Sequence, residues 1–394
     1  MILNVDRKEF RPCMNALARV APKTSTIEAL CGVRLEADRG RQTLTLTATD
    51  LTLGLQYELA AEVEETGCAV IDAALLSDAL RLATKDSIRI ETKKTQFYVD
   101  TGCKYHLSCL PTEEFPVPEF MTPDGSITLE KIPDLAARVC HIAAPKVRDD
   151  NCHAVKLTFS EAGVSAVSCD GGTRTIQVMW PGENTGTLDL LIPAKALALL
   201  SSLVGAEAVL YVGATEQCAM FYDGMMTFSV RLLKGKYLDT DLVFDAVQPV
   251  YFAEVDNAAL CQSLELASAP YDADRFQLKL EADHLEVGCS SAQAQCVNSV
   301  PIMKGNGPAA VPFYYGKTLP SSIKPLGDTL VLFFSGNGQL IVGDGHTKLF
   351  QNSMRAPSLL QVEKKPTAKK EATAKKEPAK KRTKKAKTPK KEAA

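Results

Sequence analysis

The stretch VRLEADRGRQTLTLTATD, residues 33–50, is where the fold can be read. Val33, Leu35 and Ala37 alternate with Arg34, Glu36 and Asp38. Arg39-Gly40 supplies a turn, and Leu44, Leu46 and Ala48 alternate with Thr43, Thr45 and Thr47. An apolar residue at every second position gives a strand one buried face, so the stretch predicts two half-buried strands in a hairpin. The pattern returns as VKLTFSEAGVSAVSCD at 155 and as FQLKLEADHLEVGCSS at 276. A pattern recurring about every 120 residues predicts a chain built of copies.

Each copy opens with a strand and a helix: ILNVDRKEFRPCMNALARVAP at 2, ITLEKIPDLAARVCHIAAP at 127 and VYFAEVDNAALCQSLELASAP at 250. All three close on a proline (Pro22, Pro145, Pro270), which a helix does not tolerate in its interior. After the hairpin comes a second strand and helix, at 69–86, 190–205 and 310–327, and then further strands. The expected fold is α+β, with three similar domains, each of two strand-helix-strands halves. Pro123-Asp124-Gly125 and Val247-Gln248-Pro249 mark turns, which places domains at 1–123, 124–246 and 247–362, with a tail at 363–394. Pro12 lies inside the first helical pattern and predicts either a later start or a kink.

Hydrophobic residues make up 45% of the 394, enough for a sizeable core. No apolar run approaches the roughly 18–20 residues needed to span a bilayer. MILNVDRKEF carries charges where a signal peptide is apolar, so a cytoplasmic protein is expected. The 12 cysteines are scattered without a C-x-x-C pair, and the five histidines do not complete a metal set. Small buried hydrophobes in a reducing compartment are the expectation for them, with no metal and no cofactor. The net charge of −2 hides a division. Residues 363–394 hold 14 Lys+Arg and 4 Asp+Glu, and the remainder 31 and 43. An acidic body therefore carries a basic tail, which lacks aromatics and cannot form a core. Within the body, positive charge gathers on the helical segments. That suits helices facing a polyanion, and it also suits the good helix propensity of Lys and Arg.

Catalytic motifs are few. GNGQL (336–340) and GDGH (343–346) lack the strand-to-helix setting and the Lys-Ser/Thr of a phosphate loop, so they read as hairpin turns. CDGGTR (169–174) also reads as a turn, and no G-x-S-x-G occurs. An enzyme with a site at Asp170, His153 or His346 remains a rival reading.

Five segments carry a resemblance to the bacterial DNA polymerase III beta-subunit (sliding clamp) family. LTATDLTLGL (46–55) resembles its first-domain "TD-L" segment, and HLSCLPTEEFP (106–116) the "L-P, acidic, F-P" close of that domain. VSCDGGTR (167–174) resembles "A-T-D-G-H-R", FSVRLLKGKYLD (228–239) the close of the second domain, and SMRA (353–356) the final "M-R-L". The resemblance spans residues 1 to about 356 and implies a non-catalytic processivity subunit. Two subunits would form a closed ring, with helices lining a hole that duplex DNA passes through and strands forming the wall. Such a ring holds DNA topologically, so weak contacts to phosphates suffice.

By position, the resemblance implies DNA contacts at Arg19, Lys23, Arg81, Lys85, Lys146 and Arg148. It implies a pocket for short linear peptides of polymerase and clamp loader at Arg174, Thr175, Ile176, Val243, Phe244, Phe350, Asn352, Met354 and Arg355. It implies ring closure through an edge strand with Lys104, Tyr105 and Leu107, paired with an edge near 266–276 that includes Leu266. Partners would include the proteins of the replicative complex, its 3'–5' exonuclease component among them. The chain departs from the family at Gly172-Thr173 (usually a histidine), Asp149 and Asp150 (usually aromatic), Asp245 (usually proline) and Asn352 (usually apolar), which predicts an altered peptide preference. The lysine-rich tail lies outside the family pattern and predicts a salt-sensitive DNA tether. The alternative to a clamp is a nucleoid-associated scaffold acting through that tail.

Overall fold

A computed structural model describes residues 1–147, 150–269, 275–290 and 295–355. All lie in the first of two compact units, Met1–Ala356. The first third contains β1 (Ile2–Asp6), α1 (Arg7–Leu17), β2 (Gly32–Asp38), β3 (Thr43–Thr49), β4 (Leu53–Glu65), β5 (Gly67–Asp72), α2 (Ala73–Arg81), β6 (Ser87–Lys93), β7 (Gln96–Asp100) and β8 (Lys104–Ser108). The middle third contains β9 (Thr128–Leu129), α3 (Ile132–Val139), β10 (Ala154–Ser160), β11 (Gly163–Cys169), β12 (Arg174–Pro181), β13 (Leu188–Pro193), α4 (Ala194–Ser201), β14 (Leu210–Ala214), β15 (Cys218–Tyr222) and β16 (Met226–Arg231). After a short α5 (Asp241–Asp245), the last third contains β17 (Pro249–Asp256), α6 (Asn257–Ser268), β18 (Arg275–Leu280), β19 (His284–Ser290), β20 (Gln295–Pro301), the two-residue β21 (Lys304–Gly305), β22 (Phe313–Gly316), α7 (Leu319–Ile323), β23 (Thr329–Ser335), β24 (Leu340–Gly343) and β25 (Thr347–Gln351).

Apart from α5 and β21, the same order runs through each third: strand, helix, four strands, helix, three strands. The hairpin of residues 33–50 is β2–β3, with Leu35 opposite Leu46 and Ala37 opposite Leu44, all fully buried. Asp38 closes its turn by accepting from the Gly40 and Arg41 N–H groups. The sequence reading missed a strand in each copy. β4, β12 and β20 add a third strand to the hairpin; in β4, Leu55, Tyr57, Leu59, Ala61 and Val63 point inward at every second position.

Helix starts follow local chemistry. Asp6, Asp72 and Asp256 cap α1, α2 and α6, their carboxylates accepting from the N–H groups of Lys8, Leu75 and Ala259. Phe10, Met14 and Leu17 are buried, as the helical spacing predicts. Pro12 does not delay α1, which begins at Arg7 and runs through it; the proline lies on the exposed side. The helices pair as α1 with α2, α3 with α4 and α6 with α7.

The strands fall into sets of four. β1, β6, β7 and β8 form one set, and β5-β2-β3-β4 the next; β4 joins both, since its last residues pair with β1. β16-β15-β14-β9 and β13-β10-β11-β12 belong to the middle third, and β25-β24-β23-β17 and β22-β18-β19-β20 to the last. Two pairings cross between thirds. β4 meets β16 with Leu55 opposite Phe228, and β12 meets β25 with Ile176 opposite Leu349. The 12-stranded sheet thus ends on β8, and the 4-stranded sheet on β20.

This placement corrects one expectation. No edge strand occupies the described part of 266–276; the 4-stranded sheet ends on β20 and β22. Leu266 lies on α6, where its side chain is 54% exposed, and β18 is an interior strand of its sheet. Residues 270–274 of that expectation lie outside the described residues.

Candidate functional site

Of the residues expected to meet DNA, Arg81 lies on a helix, and Arg19, Lys23, Lys85 and Lys146 lie in the segments that follow α1, α2 and α3. Arg19 follows α1, and its Nη2 donates to Ser202 Oγ at 2.6 Å, just past α4; one bond thereby links the helix pairs of two domains. Ser77 Oγ and Asn15 Oδ1 meet at 3.0 Å between α2 and α1. Arg81, in the last turn of α2, sits 3.5 Å from Asp78, with both side chains well exposed. Lys85 lies in the loop after α2, and its Nζ is 2.6 Å from Asp100, a partner the sequence did not reveal. Lys23 and Lys146 are exposed in loops that follow α1 and α3. Arg148 and Asp149 lie outside the described residues.

The residues expected to form a peptide pocket divide into two groups. Thr175, Ile176 and Phe350 are buried in the β12–β25 ladder, with Thr175 opposite Phe350. Val243 and Phe244 are half-buried on α5. Arg174, at the start of β12, lines a surface cleft of ≈ 630 Å³ whose walls are Ala144–Val147 and Asp170–Arg174. Its Nε donates to Asp170 Oδ2 at 3.1 Å and its Nη1 to Ser322 Oγ at 3.2 Å.

Asp170 organises the second wall. It accepts from the N–H groups of Gly172, Thr173 and Arg174 and from the Thr173 hydroxyl. Burial pushes its carboxyl up, but these donors outweigh that and hold it below the ordinary range. Asp170 is therefore a turn anchor, as its sequence context suggested, and not a proton donor near neutral pH. A side chain at Gly172 would meet open space, so the wall is low where the family usually has a histidine. The Asn352 N–H donates to Thr173 O at 2.8 Å and the Met354 N–H to Tyr314 O at 2.7 Å, so the chain's last described residues run beside this wall. Arg355 O accepts from Arg275 Nη1 at 2.6 Å.

The third feature is the pair of free edges. Tyr105 and Leu107 of β8 pack against the core, as do Asn298 and Val300 on the inner side of β20. The Cys109 N–H turns back to Thr95 O, and the Ile302 N–H to Asp283 O. By the alternation of an antiparallel ladder, Lys104, His106 and Ser108 then point their N–H groups outward, as do Gln295, Val297 and Ser299. Among the described residues no cluster of metal-ligating side chains occurs, and no helix is long and apolar enough to cross a membrane.

Three repeats of paired helices on linked antiparallel sheets define a DNA-clamp fold. Clamp structures from Streptococcus pyogenes (a DNA polymerase beta subunit) and Bacillus subtilis (a DNA polymerase sliding clamp) share it at TM-score 0.82 each. Each is 16% identical to this chain and covers 90% of it; the alignments take in 100% and 99% of those chains. A Pseudomonas aeruginosa sliding clamp bound to griselimycin matches at TM-score 0.79 and 18% identity. Residues 1–119 match the family described as DNA polymerase III beta subunit, N-terminal domain. The beta sliding clamp of Synechococcus elongatus is 24% identical over 70% of this chain and 76% of its own length. That of Streptomyces coelicolor is 26% identical over 60% of this chain and 64% of its own length, a little under two thirds. The family match thus covers residues 1–119, and the likeness to solved clamps extends the shared fold over 90% of the chain.

Proposed function

We propose that the chain is a sliding clamp: a non-catalytic subunit that closes into a two-copy ring around duplex DNA and tethers a polymerase to it. Its domains are taken at 1–123, 124–246 and 247–362, with a tail at 363–394 and a bacterial cytoplasmic setting.

One observation carries the reading. At both internal junctions, the third strand after a domain's first helix pairs with the last strand of the next domain: β4 with β16, and β12 with β25. By the same rule, among the described residues, β20 lacks its partner and β8 lacks the complementary one. A second copy supplies both. Each junction then joins four strands to four, and the ring closes with six domains and with β8 and β20 both paired.

The internal junctions also specify the register of closure. Leu55, Ile176 and Cys296 are equivalent, being the residues opposite Ala48, Ser168 and Cys289 on the preceding strand. Phe228, Leu349 and Tyr105 are equivalent by their partners Phe221, Val342 and Val99. Since Leu55 meets Phe228 and Ile176 meets Leu349, Tyr105 should lie opposite Cys296 of the second copy. Both turn their own N–H groups inward, which makes this a close, non-hydrogen-bonded pair suited to a disulfide.

The test is Tyr105→Cys under mild oxidation. A covalent dimer on a non-reducing gel, lost on adding Cys296→Ser, is expected. A dimer by light scattering without that cross-link would reject the register. A monomer in the unmodified protein, and equal retention on circular and linearised DNA, would reject the ring.

Arg19, Lys23, Arg81, Lys146 and Arg148 are proposed to meet phosphates. Lys85 is the weakest candidate, because Asp100 already offsets its charge. The cleft beside Arg174 is proposed to take short peptides from polymerase and clamp loader. The basic tail is proposed as an added tether to DNA, supported by its 14 Lys+Arg against 4 Asp+Glu.

A further inference from the structure

Beneath the cleft lies a pair of thiols. Cys152 precedes β10 and Cys169 ends β11, and their Sγ atoms are 3.4 Å apart. Both are buried, at 3% and 0% exposure, in a small cluster with Ala144 and the partly buried Tyr237. Of the chain's 12 cysteines, these are the two whose sulfurs touch among the described residues.

Each thiol is tied to a different wall. The Ala144 N–H donates to Cys152 O at 2.8 Å, and Ala144 begins the wall that runs to Val147. Cys169 leads straight into Asp170, whose carboxylate builds the opposite wall. A covalent bond between the sulfurs would therefore join the bases of both walls.

We propose that Cys152 and Cys169 form a redox-modifiable dithiol at the buried base of the two walls, oxidised to a disulfide by peroxide and restored by a dithiol reductant. In the first step hydrogen peroxide converts one thiol to a sulfenic acid, and one water leaves. In the second the other thiol attacks that sulfur, the S–S bond forms, and a second water leaves. Together the two thiols lose two protons and two electrons, which end in water. The sulfurs must close from contact to about 2.05 Å, which draws the Asp170 turn toward Cys152.

Burial pushes the Cys152 thiol up to about 12, so little of it is thiolate at neutral pH, and both sulfurs are shielded from solvent. Oxidation then waits on local opening of the walls. A molecule seated in the cleft would slow it.

The experiment treats the full-length protein with hydrogen peroxide and measures its intact mass, followed by proteolytic mapping without reduction. Expected are a loss of about 2 Da reversed by dithiothreitol, a cross-linked fragment joining Cys152 to Cys169, and slower amide exchange in 144–147 and 170–174 after oxidation. Cys152→Ser and Cys169→Ser should each abolish the linkage while the unmodified protein shows it, so misfolding of a variant does not decide the matter. No mass loss, or a linkage mapped to another pair such as Cys289 with Cys296, would overturn the proposal. The mass readout needs neither DNA nor a second copy, so it stands or falls apart from the ring. The slowing of oxidation by a peptide seated in the cleft alone rests on the clamp reading.

Discussion

Arg138 shows what a single residue holds together. From α3 its guanidinium reaches Asp344 in the turn between β24 and β25, and also Thr347 Oγ1 at 2.7 Å and Asp134 Oδ1 at 3.1 Å. The Arg138 and Asp344 side chains are 12% and 3% exposed, so removing one strands the other's charge away from water. Arg138→Ala should cost about 3–5 kcal/mol in chemical denaturation. Asp344 adds a pH signature. Burial pushes its carboxyl up, but the Gly327 N–H and the Arg138 guanidinium outweigh that and hold it below the usual range. Stability from a depressed carboxyl is present above the unfolded value near 3.9 and is lost as pH falls through the folded value. The gap between the protein and Asp344→Asn should therefore be large at neutral pH and shrink below about pH 4. A gap independent of pH would contradict this account. None of it was legible in the sequence, where Arg138 and Asp344 are 206 positions apart. The thiol contact of Cys152 and the Lys85–Asp100 pair were hidden for the same reason: folding, not spacing, brings them together.

At the scale of elements, the sequence was most readable where burial is one-sided. The β2–β3 hairpin and the apolar stripe of α1 followed from period alone. The third strands β4, β12 and β20 were missed. β4 and β12 pair on both edges across domain junctions, and β4 follows a turn-like segment, Asp50–Thr52, where the Asp50 carboxylate accepts from the Thr52 and Leu53 N–H groups. Leu266 was placed near an edge by its position in the resemblance, but it lies on α6, the helix that the Asp256 cap begins. Pro12 offers a test within one helix. It has no N–H to give to the Lys8 carbonyl and lies on the exposed side. Pro12→Ala should stabilise the protein by about 1–3 kcal/mol in thermal unfolding. Unchanged or lowered stability would mean that α1 depends on the bend a proline imposes.

At the scale of the molecule, triplication was the strongest signal, and it gave the architecture before any single motif did. The acidic body and the basic tail were equally plain. If the tail neutralises phosphates, deleting 363–394 should reduce the slope of log affinity against log salt on linear DNA by about 0.9 for each phosphate it had neutralised. An unchanged slope would remove the tether, yet would leave the ring untouched. The peptide-cleft residues were harder to read, because three of the nine named, Thr175, Ile176 and Phe350, are buried in the β12–β25 ladder. The low wall at Gly172-Thr173 did show in the sequence as a departure from the family, as did Asp245 and Asn352.

The unpaired edges β8 and β20 also govern how such a ring would come apart. Two copies meet at two seams, and neither seam has a covalent thread across it. When one opens, the other still holds the strands near each other, so reclosure is a first-order event that dilution does not slow. Complete loss needs both seams open at once. A ring left on DNA should therefore outlast the opening of a single seam, and an agent that holds one seam apart is enough to let a duplex in or out.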